Sequence, residues 1–128
     1  MILTDERREV EGLLSAVGSR YEEIQNEGAQ VLAIMPVSHE QTKSTRERLN
    51  LPFPVLSDEN RHIHRELGAV DSEHCDEAAV YVTDRFGEVF AAYRTSDCQT
   101  LPTVADILKW LEFINAQCPE CEVPEWPI

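Results

Sequence analysis

Four cysteines carry the reactive chemistry of this chain: Cys75 in "EHCDE", Cys98 in "RTSDCQT", and Cys118 with Cys121 in the closing "CPECEVPEWPI". A Cys-x-x-Cys pair fits a redox dithiol or half of a soft-metal site, and it also occurs in a plain tail. A thiol attacks as its thiolate, which is favoured at a helix N-terminus or beside cations. Glu120, Glu122 and Glu125 surround the closing pair with negative charge, which disfavours a primary nucleophile and leaves a resolving role or metal binding. Cys75 has His74 beside it, but also Glu73, Asp76 and Glu77; Cys98 follows Arg94 by four residues. These four thiols are the candidate redox residues. The "HIH" histidines, His62 and His64, are spaced by two and point to different faces of a helix, so a metal pair is disfavoured and solvated or partly packed rings are expected.

Length and charge narrow the field. A chain of 128 residues predicts one domain, 1–128, with a short cysteine-bearing tail at 118–128. The formal net charge is −13, a surface that repels phosphate backbones and anionic lipid, so neither nucleic acid nor membrane is an expected partner. No apolar run is long enough to span a bilayer, and no signal peptide stands at the start, which makes the cytoplasm the expected location. In a cytoplasmic protein, four cysteines point to redox chemistry or metal more than to a disulfide framework. No glycine-rich phosphate loop and no convincing carboxylate pair are present, and no cofactor is expected.

Certain elements must position the thiols. Val10, Leu13, Leu14, Val17, Tyr21 and Ile24 recur at helical spacing and predict one helix, opened by Thr4 or Asp5 and stopped at Gly28. "AQVLAIMPV" is a short, continuous apolar run, the mark of a strand covered on both faces. "SHEQ" reads as a capping box, Ser38 with Gln41, opening a polar surface helix to about Asn50. "LPFPVLSDEN" gives a short edge strand, with Asp58 able to cap a helix running to Leu67 and ended by Gly68. "AAVYVTDRFGEVFAAY" is a hairpin with Gly87 in the turn. Thr103 caps a last helix whose inner face is Val104, Ile107, Leu108, Leu111 and Ile114. Trp110 and Phe113 on this helix suit packing or an interface, and Trp126 in the tail could dock on a partner subunit.

That order, with right-handed crossovers, makes the first two strands parallel neighbours and adds an antiparallel hairpin. It is most of an α/β thioredoxin-like sandwich: a mixed sheet, truncated at its N-terminus, with a C-terminal β-hairpin and helix. The segments "YEEIQNEGAQVLAIMPVSHEQT", "LPFPVLSDENRHIHRELGAV" and "AAVYVTDRFGEVF" resemble the peroxiredoxin-like (AhpC/TSA, redoxin) branch of the thioredoxin superfamily over roughly residues 13–115. "CEVPEW" is faintly similar to the resolving-cysteine tail of two-cysteine peroxiredoxins. The resemblance implies a redoxin fold and thiol redox activity. It also exposes a departure: "TDERREV" holds no cysteine where the family's peroxidatic residue stands. The strand that normally delivers that residue is central, so Met1-Ile2-Leu3 must supply a stub, the sheet must close differently, or a partner chain must donate a strand. A chain lacking its true N-terminus is the other expectation. Unpaired central edges favour association, so a homo-oligomer, such as a dimer, is expected.

In such a sheet Cys75 and Cys98 flank the hairpin at the functional edge, with contact between them one of two readings and unrelated loop thiols the other. The last helix, about 15 residues and roughly 22 Å long, carries Cys118 and Cys121 to the opposite end. The expectation is a thiol–disulfide redox protein, degenerate at the peroxidatic position, with a redox partner protein. The alternative is a non-catalytic redoxin-fold subunit that uses its tail for assembly or metal binding.

Overall fold

The computed structural model describes residues 1–3, 8–67, 78–95 and 101–117. The N-terminal stub is a strand: β1 (Ile2–Leu3) lies between β2 (Ala33–Met35), to which it is parallel, and β4 (Ala78–Thr83), to which it is antiparallel. The five-stranded sheet has the order β3-β2-β1-β4-β5, with β3 (Val55–Ser57) and β5 (Val89–Thr95) at its two edges. Ile2 faces Ala33 on one side and Val80 on the other, so two residues join the parallel half of the sheet to the hairpin half.

The larger core lies on one face of the sheet. Leu14 and Val17 of α1 (Arg8–Ser19), Ile24 of α2 (Tyr21–Asn26) and the inner face of α5 (Val104–Gln117) meet there with Ile2, Phe53 and Val80. All five residues expected on the inner face of α5 are buried. The second face carries a smaller cluster, Ile34 and Ala79, against Ile63 of α4 (His62–Glu66) and the neighbouring Leu67. The Tyr81 hydroxyl donates to the Leu67 carbonyl at 2.9 Å and ties the end of α4 to the sheet. The helix α3 (His39–Arg48) packs against β3, and Arg48 clamps Glu11 of α1 through two hydrogen bonds, at 2.6 and 3.2 Å.

Local chemistry sets the element ends. Ser38 and Gln41 form the capping box of α3, the Ser38 hydroxyl accepting from the Gln41 N–H and the Gln41 side chain accepting from the Ser38 N–H. At the other end of α3, Asn50 takes a left-handed φ of 51°, while Leu51 N–H reaches Arg46 O at 3.0 Å and Asn50 N–H reaches Glu47 O at 3.2 Å. This pair of bonds is a Schellman motif. Gly28, φ 74°, closes α2 the same way, with Ala29 N–H on Ile24 O and Gly28 N–H on Gln25 O. In the hairpin, the Asp84 carboxylate accepts from the N–H groups of Phe86 and Glu88, which leaves the left-handed corner, φ 86°, to Gly87. Thr103 caps α5 by accepting from Asp106 N–H at 3.2 Å, and Asp106 accepts from Thr103 N–H at 3.0 Å.

One expectation is corrected. The first apolar stripe forms two helices rather than one, with the break at Arg20, φ −115° and ψ 20°. Three residues mark the break. Gly18 sits where a Cβ would meet Pro52 at 3.3 Å, the Ser19 hydroxyl donates to the Ala16 carbonyl, and Arg20 N–H takes a tightened bond to Val17 O. Periodicity survives the break because Ile24 returns to the same core. The expected cap at Thr4 or Asp5 and the stop at Gly68 lie outside the described residues.

Replacing Thr103 with Ala removes the hydroxyl that satisfies an otherwise unpaired N–H of α5, and should lower stability by about 1 kcal/mol. Urea unfolding checks this; an unchanged midpoint would show that the cap contributes nothing.

Candidate functional site

In this sheet the parallel strands β1, β2 and β3 end at one edge, and α1 starts there after residues 4–7, which lie outside the described set. The same edge receives the start of β4 and the end of β5. Ligands of open α/β sheets bind beyond the carboxyl ends of parallel strands, so this edge is where a site belongs.

The described part of the edge is built around Asp58. The residue follows β3, and its N–H donates to Met35 O at 2.8 Å, locking the end of β3 to the end of β2. Next to it the Ser57 hydroxyl donates to the Val37 carbonyl, a second tie between the same two strand ends. The carboxylate then turns to α4. Oδ1 accepts from Ile63 N–H at 3.1 Å, and Oδ2 accepts from His64 N–H at 2.9 Å. Oδ2 also lies 2.6 Å from Nδ1 of the His64 ring. Both side chains are buried, His64 at 0% and Asp58 at 4% exposure.

Burial acts to raise the Asp58 carboxyl pKa. Hydrogen bonds from the His64 ring and from the His64 and Ile63 N–H groups, with the attraction of the His64 charge, outweigh it and hold the carboxyl below its ordinary value. An ionised carboxylate only accepts, so Nδ1 of His64 is the donor in this pair. The N-terminal N–H groups of α4 and the imidazole thus share one carboxylate. Arg61, between Asp58 and α4, donates its N–H to Asp58 O at 2.8 Å and adopts a left-handed φ of 59°, from which the chain enters the helix. This conformation is uncommon for a residue with a side chain, and the turn around Asp58 demands it.

The sequence reading identified Asp58 as a cap and missed the fate of His64, which it placed in solvent or partly packed. His62 is exposed, 3.4 Å from Glu66, but His64 is wholly enclosed. A signal was present in "SDENRHIH": an Asp that caps the second and third residues of a short helix places a His in that third position over its own carboxylate.

The four candidate thiols, Cys75, Cys98, Cys118 and Cys121, all lie outside the described residues. The element that precedes the closing pair is placed, however. Asn115, near the end of α5, donates its amide to Glu27 O and to the Glu27 carboxylate, both at 2.8 Å. Glu27 follows α2 and precedes β2, so α5 finishes at the edge where β1 and β2 begin, opposite the Asp58 edge. Trp110 and Phe113, expected in packing or at an interface, form an edge-to-face pair with centroids 5.8 Å apart. The Trp110 indole N–H donates to the Tyr93 hydroxyl at 2.8 Å, while Phe113 remains 48% exposed. Among the described residues no cluster of three His, Cys, Asp or Glu side chains could hold a metal ion, and no helix is long and apolar enough to cross a membrane.

Comparison with known proteins agrees with this architecture. Residues 5–92 match the model of the AhpC/TSA family, and the chain belongs to that family. No protein of curated function matches the sequence. Among solved structures, the Xanthomonas campestris bacterioferritin comigratory protein superposes with a TM-score of 0.71 at 14% identity, covering 91% of this chain and 78% of its own. Mycobacterium tuberculosis AhpC gives 0.71 at 20% identity, covering 98% and 73%. Enterococcus faecalis AhpC gives 0.73 at 15% identity, covering 99% and 79%. The shared fold is thioredoxin-like, and family membership supports a function of the thiol redox type.

Replacing Asp58 with Ala should destabilise the protein by about 3 kcal/mol, because it strands two helix N–H groups and a buried imidazole. A carboxyl whose pKa is depressed on folding stabilises the fold fully above its unfolded value, near 3.8, and loses that contribution as pH falls through the folded value. The part of the stability gap between wild type and D58A that comes from the ionised carboxylate should therefore be complete above about pH 4 and shrink below it. Urea titrations across pH 2–7 would check this, and a gap unchanged at the acid end would contradict the assignment.

Proposed function

We propose that this chain is a single-domain thiol–disulfide redox protein of the peroxiredoxin-like class. Its chemistry rests on Cys75, Cys98, Cys118 and Cys121 rather than on a cysteine at the start of α1. The observation that carries the reading is the AhpC/TSA match over residues 5–92, in a chain whose "TDERREV" segment has no thiol and whose four thiols all lie further on. The work on alkyl peroxide reduction by the Xanthomonas campestris protein supports a peroxide as the class of oxidant.

The step balances with two thiols. One thiolate attacks a peroxide oxygen, the O–O bond breaks, and a sulfenic acid forms while the departing oxygen takes a proton from solvent and leaves as water or an alcohol. A second thiol displaces water from the sulfenic sulfur, leaving a disulfide that an external dithiol protein reduces. Cys118 and Cys121, in an acidic setting, suit the second thiol better than the first. A homo-oligomer in a reducing compartment such as the cytoplasm fits this chemistry, since a partner subunit can bring distant thiols together.

The missing thiol in "TDERREV" favours a second reading, a non-catalytic redoxin-fold subunit whose tail serves assembly or metal binding. Disulfide mapping by digestion and mass spectrometry, before and after stoichiometric hydrogen peroxide, separates the two. The redox reading expects a disulfide containing Cys118 or Cys121 that dithiothreitol reverses and that C118S or C121S abolishes. Four thiols inert to peroxide in a stable oligomer would leave the non-catalytic subunit.

A further inference from the structure

At the edge opposite Asp58 the larger core does not close. A cavity of about 390 Å³ opens between the loop that follows α2, the end of α5 and the far end of β4. Its inner wall is apolar, with Val17, Ile24, Val80, Ile107 and Leu111. Glu27, Gln30, Arg85 and Asn115 stand among the polar residues that line it. The volume lies at the lower end of the range for pockets that hold small organic groups, and an apolar interior with a few polar residues is the usual character of such pockets.

We infer that this cavity is the seat of the chain's own C-terminal segment, with Trp126 as the anchor. Two facts point to that occupant. Ile114 and Asn115 both line the cavity, and α5 ends at Gln117, so the 11 residues 118–128 start within a helical turn of it. The nine residues from Gln117 to Trp126 can span up to about 30 Å, more than a return to the adjacent cavity requires. The composition of the segment also matches. "CPECEVPEWPI" sets a large amphipathic indole between two prolines that restrict the unbound chain and lower the entropy cost of docking. The lining carries one cation, Arg85, and two carboxylates, Glu27 and Asp84, so the match to this acidic segment rests on the indole and the apolar wall rather than on charge.

Docking of this kind holds Cys118 and Cys121 beside the starts of β1 and β2. It stands apart from the redox reading, because a tail with inert thiols would seat itself in the same way.

Nuclear Overhauser contacts in the full, wild-type chain test it without any variant. The expected result is contact between the Trp126 indole protons and the methyl groups of Leu111 and Val80, present within one molecule in mixtures of labelled and unlabelled protein. Ala29→Phe, which enlarges a side chain lining the cavity, should abolish those contacts and raise acrylamide quenching of Trp126 fluorescence several-fold in a W110F background, with helix content unchanged. Four results would overturn the proposal: an indole without contacts in the wild type, contacts to Tyr93 or Phe113 instead, contacts only between molecules, or contacts that survive A29F in a folded protein.

Discussion

The sheet is held together by its shortest strand. β1 contributes two residues, yet it supplies the central partner for β2 on one side and β4 on the other. Ile2 N–H donates to Leu32 O at 2.8 Å. On the opposite side Met1 and Tyr81 exchange hydrogen bonds, Tyr81 N–H to Met1 O at 2.8 Å and the Met1 amino group to Tyr81 O at 2.7 Å. The Ile2 side chain, 3% exposed, meanwhile enters the larger core. Unpaired backbone groups in a buried sheet cost as much as lost hydrogen bonds, so a central gap here would expose the inner flanks of both β2 and β4. The two halves of the sheet, and the helices resting on them, depend on this short junction.

From the junction outward, the molecule shows two edges of different character. At the carboxyl ends of the parallel strands, Asp58 gathers β2, β3 and α4 into one hydrogen-bonded unit, with His64 enclosed beneath it. That edge is polar inside. At the opposite edge, Asn115 and Glu27 tie α5 to the end of α2, and both line the cavity there. The fold thus sets a buried, hydrogen-bonded cluster at the edge where chemistry is expected and an apolar-walled cavity at the other.

Much of this was legible in the sequence where the controlling interaction is local. The Ser38–Gln41 box, the Thr103 cap, the Gly28 stop and the turn at Gly87 each depend on residues within four positions of one another. The inner face of α5 was legible too, because 3.6-residue periodicity reports burial directly. The break at Arg20 was not, since Ile24 returns to the same core as Leu14 and Val17 and the apolar stripe runs on across it. His64 was missed for a related reason: periodicity on a five-residue helix is too short to reveal a buried face. The role of Met1-Ile2-Leu3 was left open among three solutions, because two residues carry no pattern of their own.

The pairing of Met1 with Tyr81 spans 80 residues of chain. Closing a loop of that length costs roughly 4 kcal/mol of chain entropy before its contacts offset any of it. On a ribosome, the segment that becomes the centre of the sheet is made before either of its neighbours, and the second of these, β4, is made only after helices α1 to α4. Until then β2 and β3 can pair while one flank of β1 stands open. This topology makes completion of the sheet a late event in synthesis, and gives the nascent chain an exposed strand edge for as long as translation takes to reach the hairpin.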